Sequence, residues 1–221
     1  MSETRPKLGV HHAPSVGFPS EAMLAGFALR RLSKGHLLCT PQDARDQVFI
    51  LRSGRLRVYL AGENRELSLS FLEPGDIYTT HTPTYVKAVI PSEIWVTETQ
   101  DFARKLASDP AATPAVLRVL GRLLTNAVTL VEDLAFREVP ARLARFLLGL
   151  VERRGRHTPG GWVISLDLSV EDIASLLGAT RQTVSALINQ WERDGILCRP
   201  QRRQMVITSL DALAAHCFRD L

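Results

Sequence analysis

The sequence predicts an α+β protein, with strands concentrated in the N-terminal half, one long helix at the centre, and a helical segment closed by a strand pair at the C-terminus. Three observations predict it. Between residues 36 and 97, short alternating or apolar runs are separated by glycine-bearing turns, the texture of a small antiparallel barrel or sandwich. From Thr113 to Phe136 apolar residues recur at helical spacing, and beyond residue 137 two shorter helical patterns meet at a glycine. The composition agrees. A chain of 221 residues holds one large or two modest domains, and 45% hydrophobic against 23% charged residues excludes long disorder, collagen-like repeats and a disulfide scaffold. No run reaches the 18 apolar residues of a membrane span and the N-terminus lacks the apolar core of a secretion signal, so a cytoplasmic protein with no membrane partner is expected. Cys39, Cys198 and Cys217 are widely spaced with no C-x-x-C pair, which argues against a disulfide framework, a zinc site or an iron–sulfur cluster.

Each element follows from local residues. The first 20 residues carry three prolines, two glycines and no apolar period, and read as a loose arm. A short helix is expected over Glu21 to Leu32. Six strands then follow: His36–Thr40, Gln47–Leu51, Arg55–Leu60, Glu66–Phe71, Tyr85–Val89 and Ile94–Thr97. Ser53-Gly54, Gly62-Glu63-Asn64 and Pro74-Gly75-Asp76 form turns between them, each with a glycine free to take positive φ. Thr113 is placed to cap the long helix, with Pro114 at its first position. Val116, Leu120, Leu123, Ala127, Leu130 and Leu134 form a coiled-coil seam over nearly three heptads, and Leu117, Gly121, Leu124, Val128, Val131 and Ala135 form a second stripe beside it. One face can meet a twin helix while the other covers the strand-rich domain. Gly121 costs on the order of 1 kcal/mol against Ala inside a helix, which points to something bulky close to the backbone there. A further helix over Ala141–Arg153 ends at Gly155, a strand runs from Trp162 to Leu166, and the domain hinge falls near Phe136 to Pro140.

The stretch LSVEDIASLLGATRQTVSALINQWERDGIL carries the sharpest local signal. Ser169 can cap a first helix with Asp172 three residues on, Gly178 breaks it, and Thr180 can cap a second helix running to about Arg193. Ala174 is small where two helices would cross, and Ile173, Leu177, Ala179, Val184, Leu187 and Ile188 supply apolar contacts, the requirements of a helix-turn-helix. Ile196–Arg199, the turn Pro200-Gln201-Arg202-Arg203 and Met205–Thr208 make a basic-tipped hairpin, the wing of a winged helix. Residues at the start of a recognition helix reach base edges. Arg181 can grip guanine in bidentate fashion, Gln182 can pair with a base edge, Ser185 lies one turn along, and Thr180 and Thr183 suit phosphates. The charge distribution agrees: residues 137–221 carry 12 arginines, no lysine and 9 acids, whereas residues 1–136 are nearly balanced at 15 basic against 14 acidic. Arginine is the side chain suited to phosphates and guanine edges. One recognition helix reads few bases, so a dimer through the long helix would present two half-sites roughly 34 Å apart.

A strand-rich roll, a long helix and a winged helix-turn-helix in this order resemble the CRP/FNR family of bacterial transcription factors over essentially the whole chain. The resemblance implies a β-roll of the cyclic-nucleotide-binding, double-stranded β-helix type. It divides the chain into an arm at 1–20, a sensor roll at 21–112, a dimerisation helix at 113–136 and a DNA-binding domain at 137–221. It also implies a homodimer on operator DNA and RNA polymerase as a partner. Cyclic-nucleotide members place an acid and an Arg-Ser or Arg-Thr pair after the glycine turn; this chain reads GDIYTTHTPTYVKA there, with no arginine, which disfavours a cyclic nucleotide. The N-terminal cysteine cluster of oxygen-sensing members is absent as well.

Within the family the chain is similar to the heme-containing carbon monoxide sensors, in SGRLRVYLAGENRELSL, GDIYTTHT, VLGRLLTNAVTLVEDLAF and GATRQTVSALINQ. That similarity implies heme b, with His81 as an axial ligand of the iron, and a distal gas pocket on Leu117, Leu120, Gly121 and Leu124. A proximal asparagine of the family is either replaced by Asp46 or lies nearby, and an aspartate there would make the histidine more imidazolate-like. Thr79 replaces a cysteine that ligates ferric iron in some relatives, so that ligand switch is expected to be missing. The sixth ligand in the family is an amino-terminal nitrogen; Ser2, exposed by loss of Met1, is its analogue here, and His11 and His12 compete with it. Carbon monoxide would displace this ligand and bias the paired helices toward a DNA-binding state. The alternatives are another effector, either nitric oxide through heme or a small molecule in a heme-free roll, and a roll that only binds protein. An enzyme is not expected, because His216 and Cys217 are neighbours that diverge on a helix and no acid orients them.

Overall fold

In the computed structural model, residues 21–63, 66–166, 168–201 and 203–218 are described, and they divide into two compact units within the long helix, between Ala127 and Val128. The first unit contains α1 (Glu21–Leu24), β1 (Ala28–Leu32), β2 (Leu37–Cys39), β3 (Gln47–Ser53), β4 (Leu56–Ala61), β5 (Glu66–Leu72), β6 (Ile77–Thr79), β7 (Tyr85–Ala88), β8 (Ser92–Glu98) and α2 (Thr99–Ser108). It ends in the first part of α3 (Thr113–Phe136). Its strands make two four-stranded antiparallel sheets, ordered β1-β8-β3-β6 and β2-β7-β4-β5. Phe49, Leu51, Leu56, Val58, Leu72, Val86 and Ile94 fill the space between the sheets. The other face of β3 sends Val48 and Ile50 against Met23, Phe102, Val116 and Val119. Burial on both faces explains why β3 is a continuous apolar run rather than an alternating one.

Three expectations for this unit change. The helix over Glu21–Leu32 is only four residues of α1; Gly26 takes φ +80° and ends it, and Ala28–Leu32 pairs with β8 from Ala28↔Val96 to Leu32↔Ser92. Two elements were not anticipated. β6 is a three-residue strand set on β3, and α2 is a largely polar helix that buries only Phe102. Thr113 is not an extended cap, because a 3-10 turn at Pro110–Ala112 runs directly into α3 and leaves Thr113 helical at φ −55°, ψ −46°. The Gly54 turn is as expected: φ is +95°, and a Cβ there would lie 2.6 Å from the Ser92 Cα.

The stripes on α3 sort differently from the seam as first drawn. Ala115, Val116 and Val119 are buried and Leu123 packs on both roll cores. Leu117, Leu120, Leu124, Val128 and Val131 are between 50% and 66% exposed. The outward seam is therefore the second stripe with Leu120, Ala127 and Leu134 of the first added. By length and composition α3 is also apolar enough to cross a membrane, which a count of unbroken apolar residues misses because Arg118 and Arg122 interrupt the run.

The second unit continues from Val128 into α4 (Val139–Arg154), β9 (Arg156–Thr158), β10 (Gly161–Ser165), α5 (Val170–Leu176), α6 (Arg181–Arg193), β11 (Leu197–Gln201), β12 (Gln204–Ile207) and α7 (Leu210–Ala215). The sheet order is β11-β12-β10-β9. Leu143, Leu147, Ile164, Ile173, Val184, Ile188, Trp191, Met205 and Leu213 make one core under α5 and α6.

Candidate functional site

The recognition face is built by α5, the Gly178 turn and α6. Ser169 accepts the Asp172 N–H at 3.1 Å and Asp172 accepts the Ser169 N–H at 3.0 Å, the reciprocal cap expected from their spacing. Gly178 sits at φ +60°, and the Ala179 N–H donates to the Ala174 carbonyl at 2.9 Å, so the turn is closed over the buried Ala174. Val184 and Ile188 are buried beneath, which fixes the outward face of α6. Arg181, Gln182 and Thr183 are exposed on its first turn and Ser185 is half-buried. Thr180 is the cap: its oxygen accepts the Thr183 N–H at 3.1 Å and lies 2.8 Å from the Thr183 hydroxyl. One contact had no signal in the sequence. Arg199 on β11 pairs with Glu192 on α6 and donates to Asn189 at 2.7 Å, tying the wing to the recognition helix and taking that arginine out of the free basic surface. Arg203 marks the wing tip at φ +64°; Arg202 lies outside the described residues.

The second region surrounds His81. Thr80, just past β6, is buried; its hydroxyl accepts the Gln47 N–H at 3.0 Å and donates to the Arg45 carbonyl, while its own N–H donates to the Gln47 carbonyl at 2.9 Å. That anchor holds the loop and leaves His81 exposed. Its Nδ1 lies 3.0 Å from Asp46 Oδ1 and 2.6 Å from Thr79 Oγ1. Asp46 in turn accepts the Thr99 hydroxyl at 2.6 Å, and the Thr99 N–H donates to the Asp46 carbonyl at 3.0 Å. The Thr99 hydroxyl first, and His81 second, hold the Asp46 carboxyl below its ordinary range, so it is anionic at neutral pH. An Nδ1–H donating to this carboxylate leaves the Nε2 lone pair for a ligand. From the loop alone His81 had no acid beside it; the fold supplies one from 35 residues away.

The remaining expected residues take defined places. Leu117, Leu120 and Leu124 lie on the exposed face of α3. Around Gly121, no atom comes within 4 Å of where a Cβ would stand, so the bulky neighbour expected there is not part of this chain's described residues. Ser2, His11 and His12 lie outside the described residues. Asp76 was expected only as a turn residue, and Arg122 was not singled out. They form an ion pair, Asp76 buried and Arg122 half-buried, between the Pro74-Gly75 turn and α3.

Comparison with known proteins accords with this geometry. Residues 29–109 match the cyclic nucleotide-binding domain family and residues 141–216 the Crp-like helix-turn-helix domain family. A CRP-like cAMP-activated global transcriptional regulator of Mycobacterium tuberculosis is 29% identical, over 82% of this chain and 84% of the relative. The structure of a CooA mutant from Carboxydothermus hydrogenoformans is 38% identical, covers 88% of this chain and 89% of its own, and superposes with a TM-score of 0.83. The reduced (FeII) CO-sensing protein from R. rubrum is 34% identical, over 89% of this chain and 92% of its own, with a TM-score of 0.51. With a roll, a long helix and a winged helix-turn-helix in this order, the chain belongs to the CRP/FNR family of transcription regulators, close to CooA, and is not an enzyme.

Proposed function

We propose that this protein is a gas-responsive, heme-dependent transcription regulator that binds palindromic DNA as a homodimer, with carbon monoxide as the effector and an N-terminal donor competing with it for the same coordination position. The observation that carries the reading is His81, exposed and held through Nδ1 at 3.0 Å from Asp46, with Nε2 unpartnered among the described residues. One oriented imidazole facing solvent suits a metal that brings its remaining ligands with it; among the described residues no group of three His, Cys, Asp or Glu side chains could hold a bare ion. The open, apolar face of α3 at Leu117, Leu120, Gly121 and Leu124 suits a flat apolar macrocycle. Heme b, when bound, supplies an iron that takes a diatomic gas.

The chain's own residues do the rest. His81 would hold the iron through Nε2, and Asp46 fixes the ring's orientation and raises its basicity. Leu117, Leu120 and Leu124 of α3 would give the bound group an apolar side. The Ser2 amine, His11 or His12 would hold the sixth position at rest. Arg181 and Gln182 read base edges, Thr183 and Ser185 assist at the backbone, and Thr180 acts chiefly as the cap that sets their helix. In this reading residues 1–20 serve as the arm, 21–112 as the sensor, 113–136 as the dimerisation helix and 137–221 as the DNA reader, in a cytoplasmic regulator that touches RNA polymerase.

The test is a gas titration of heme-supplied protein followed by absorbance and operator binding together. A Soret band that shifts with carbon monoxide, lost in His81→Ala, and a parallel rise in operator affinity are expected. Absence of a Soret band moves the effector to a heme-free roll. A response to nitric oxide alone keeps the heme and changes the gas.

A further inference from the structure

We propose that the Asp76–Arg122 ion pair is a clamp that ties the effector loop, residues 77–82, to α3, so that a change of state at one is passed to the other through this pair. The inference deepens the reading given above and rests on His81 as the effector site.

Both oxygens of the Asp76 carboxylate are engaged. Oδ2 accepts the Glu73 N–H at 3.0 Å and so closes the turn, while Oδ1 takes the Arg122 guanidinium. The turn is fixed to β3 as well, through the Leu51 N–H to the Asp76 carbonyl at 2.9 Å and the Gly75 N–H to the Leu51 carbonyl at 2.8 Å. From Asp76 the chain runs without slack to the effector site. Ile77, Tyr78 and Thr79 pair with Ile50, Phe49 and Val48, Thr80 is pinned to Gln47, and His81 rests on Asp46. A displacement of His81 is therefore delivered to Asp76 along a strand rather than absorbed by a loop.

On the helix side, Arg122 adjoins Gly121 in the segment that faces the proposed pocket. The other anchors of α3 on the roll, Val116, Val119 and Leu123, are apolar, and apolar contact has no preferred direction. Among the described residues Asp76–Arg122 is the one ion pair joining α3 to the strands. The Asp76 side chain is 6% exposed and that of Arg122 17%, so solvent screens the pair little. Packing of those anchors sets the rotation of the helix, and this directional, largely desolvated contact adds a link from the helix to the Asp76 turn itself. Asp76 and Arg122 are positioning residues; neither is assigned a contact with the effector.

The test compares wild type with Arg122→Met, Asp76→Asn and the double variant. The double variant removes both charges and leaves neither buried alone, so it keeps the experiment readable where a single variant fails to fold. In heme-supplied protein the Soret band and gas binding should persist, while the gas-induced gain in operator affinity falls about 3- to 30-fold, by the same factor in all three. A gain within twofold of wild type in the folded double variant overturns the clamp. Hydrogen exchange of the full chain gives an independent reading. The Thr80 amide should exchange at least about 10-fold faster in Arg122→Met, with β10 unchanged. If the wild type takes up no heme or ignores gas, the heme reading fails, and exchange alone decides the clamp: unchanged exchange at Thr80, or an equal rise across the whole roll, overturns it.

Discussion

At His81 the pairing that gives the ring its orientation lies in the Asp46 carboxylate, which the family resemblance put beside the histidine and local pattern did not. A histidine in a threonine-rich loop and an aspartate 35 residues earlier carry no local signal of contact. The antiparallel pairing of β3 with β6 and β8 places them 3.0 Å apart. Because the Asp46 carboxyl is held low in the folded protein, its pairing contributes above the ordinary aspartate range, near 3.9, and is lost as pH falls through the depressed value. The Asp46 carboxyl should thus stay ionised from pH 8 to about 5 and protonate only below about 4, read from its carboxyl-carbon NMR shift. Asp46→Asn removes the charge but keeps an acceptor, so it should retain the Soret band and raise the midpoint of the bound iron's reduction potential, measured by spectroelectrochemical titration. An unchanged potential would sink the argument that Asp46 tunes the imidazole.

At the scale of elements, α3 shows what a periodic pattern can and cannot decide. Two adjoining apolar stripes were legible, and so was the conclusion that one meets the roll. Which residues face outward depends on the rotation of the helix, and that is set by Val116, Val119 and Leu123 filling the core beside β3. The exposed seam of Leu117, Leu120, Leu124, Val128 and Val131 is the surface proposed to meet a second copy. Val131→Glu, on this seam but outside the proposed pocket, buries two carboxylates in such a symmetric contact and should weaken the dimer by about 3 kcal/mol or more, over 100-fold in its dissociation constant. Sedimentation equilibrium would read this; an undiminished dimer would move the interface away from α3. The short elements β6 and α2 escaped notice for a common reason. Three residues hold too little pattern to read, and a helix that buries one side chain has scarcely any apolar face.

For the whole molecule, a homodimer with one recognition helix per subunit binds two half-sites about one DNA turn apart. Inserting 5 base pairs between the half-sites rotates one to the far side of the duplex and should reduce gas-stimulated binding to the level of a single half-site; a 10-base-pair insertion should restore part of it. Indifference to spacing in a gel-shift titration would argue for a monomeric reader. Residue types and spacings sufficed for the helix-turn-helix with its Ser169–Asp172 and Thr180 caps, because these rest on neighbours within a turn or two of chain; the arginine-only excess followed from a count, the α+β class from the succession of patterns, and the family from a resemblance over the whole chain. What only the tertiary structure decided joins residues far apart in sequence: Asp76 on Arg122, Glu192 on Arg199, the distance and atoms of the Asp46–His81 contact, and the face of α3 left open. Strand pairing and core packing set those contacts, and neither is encoded in any window short enough to read along the chain.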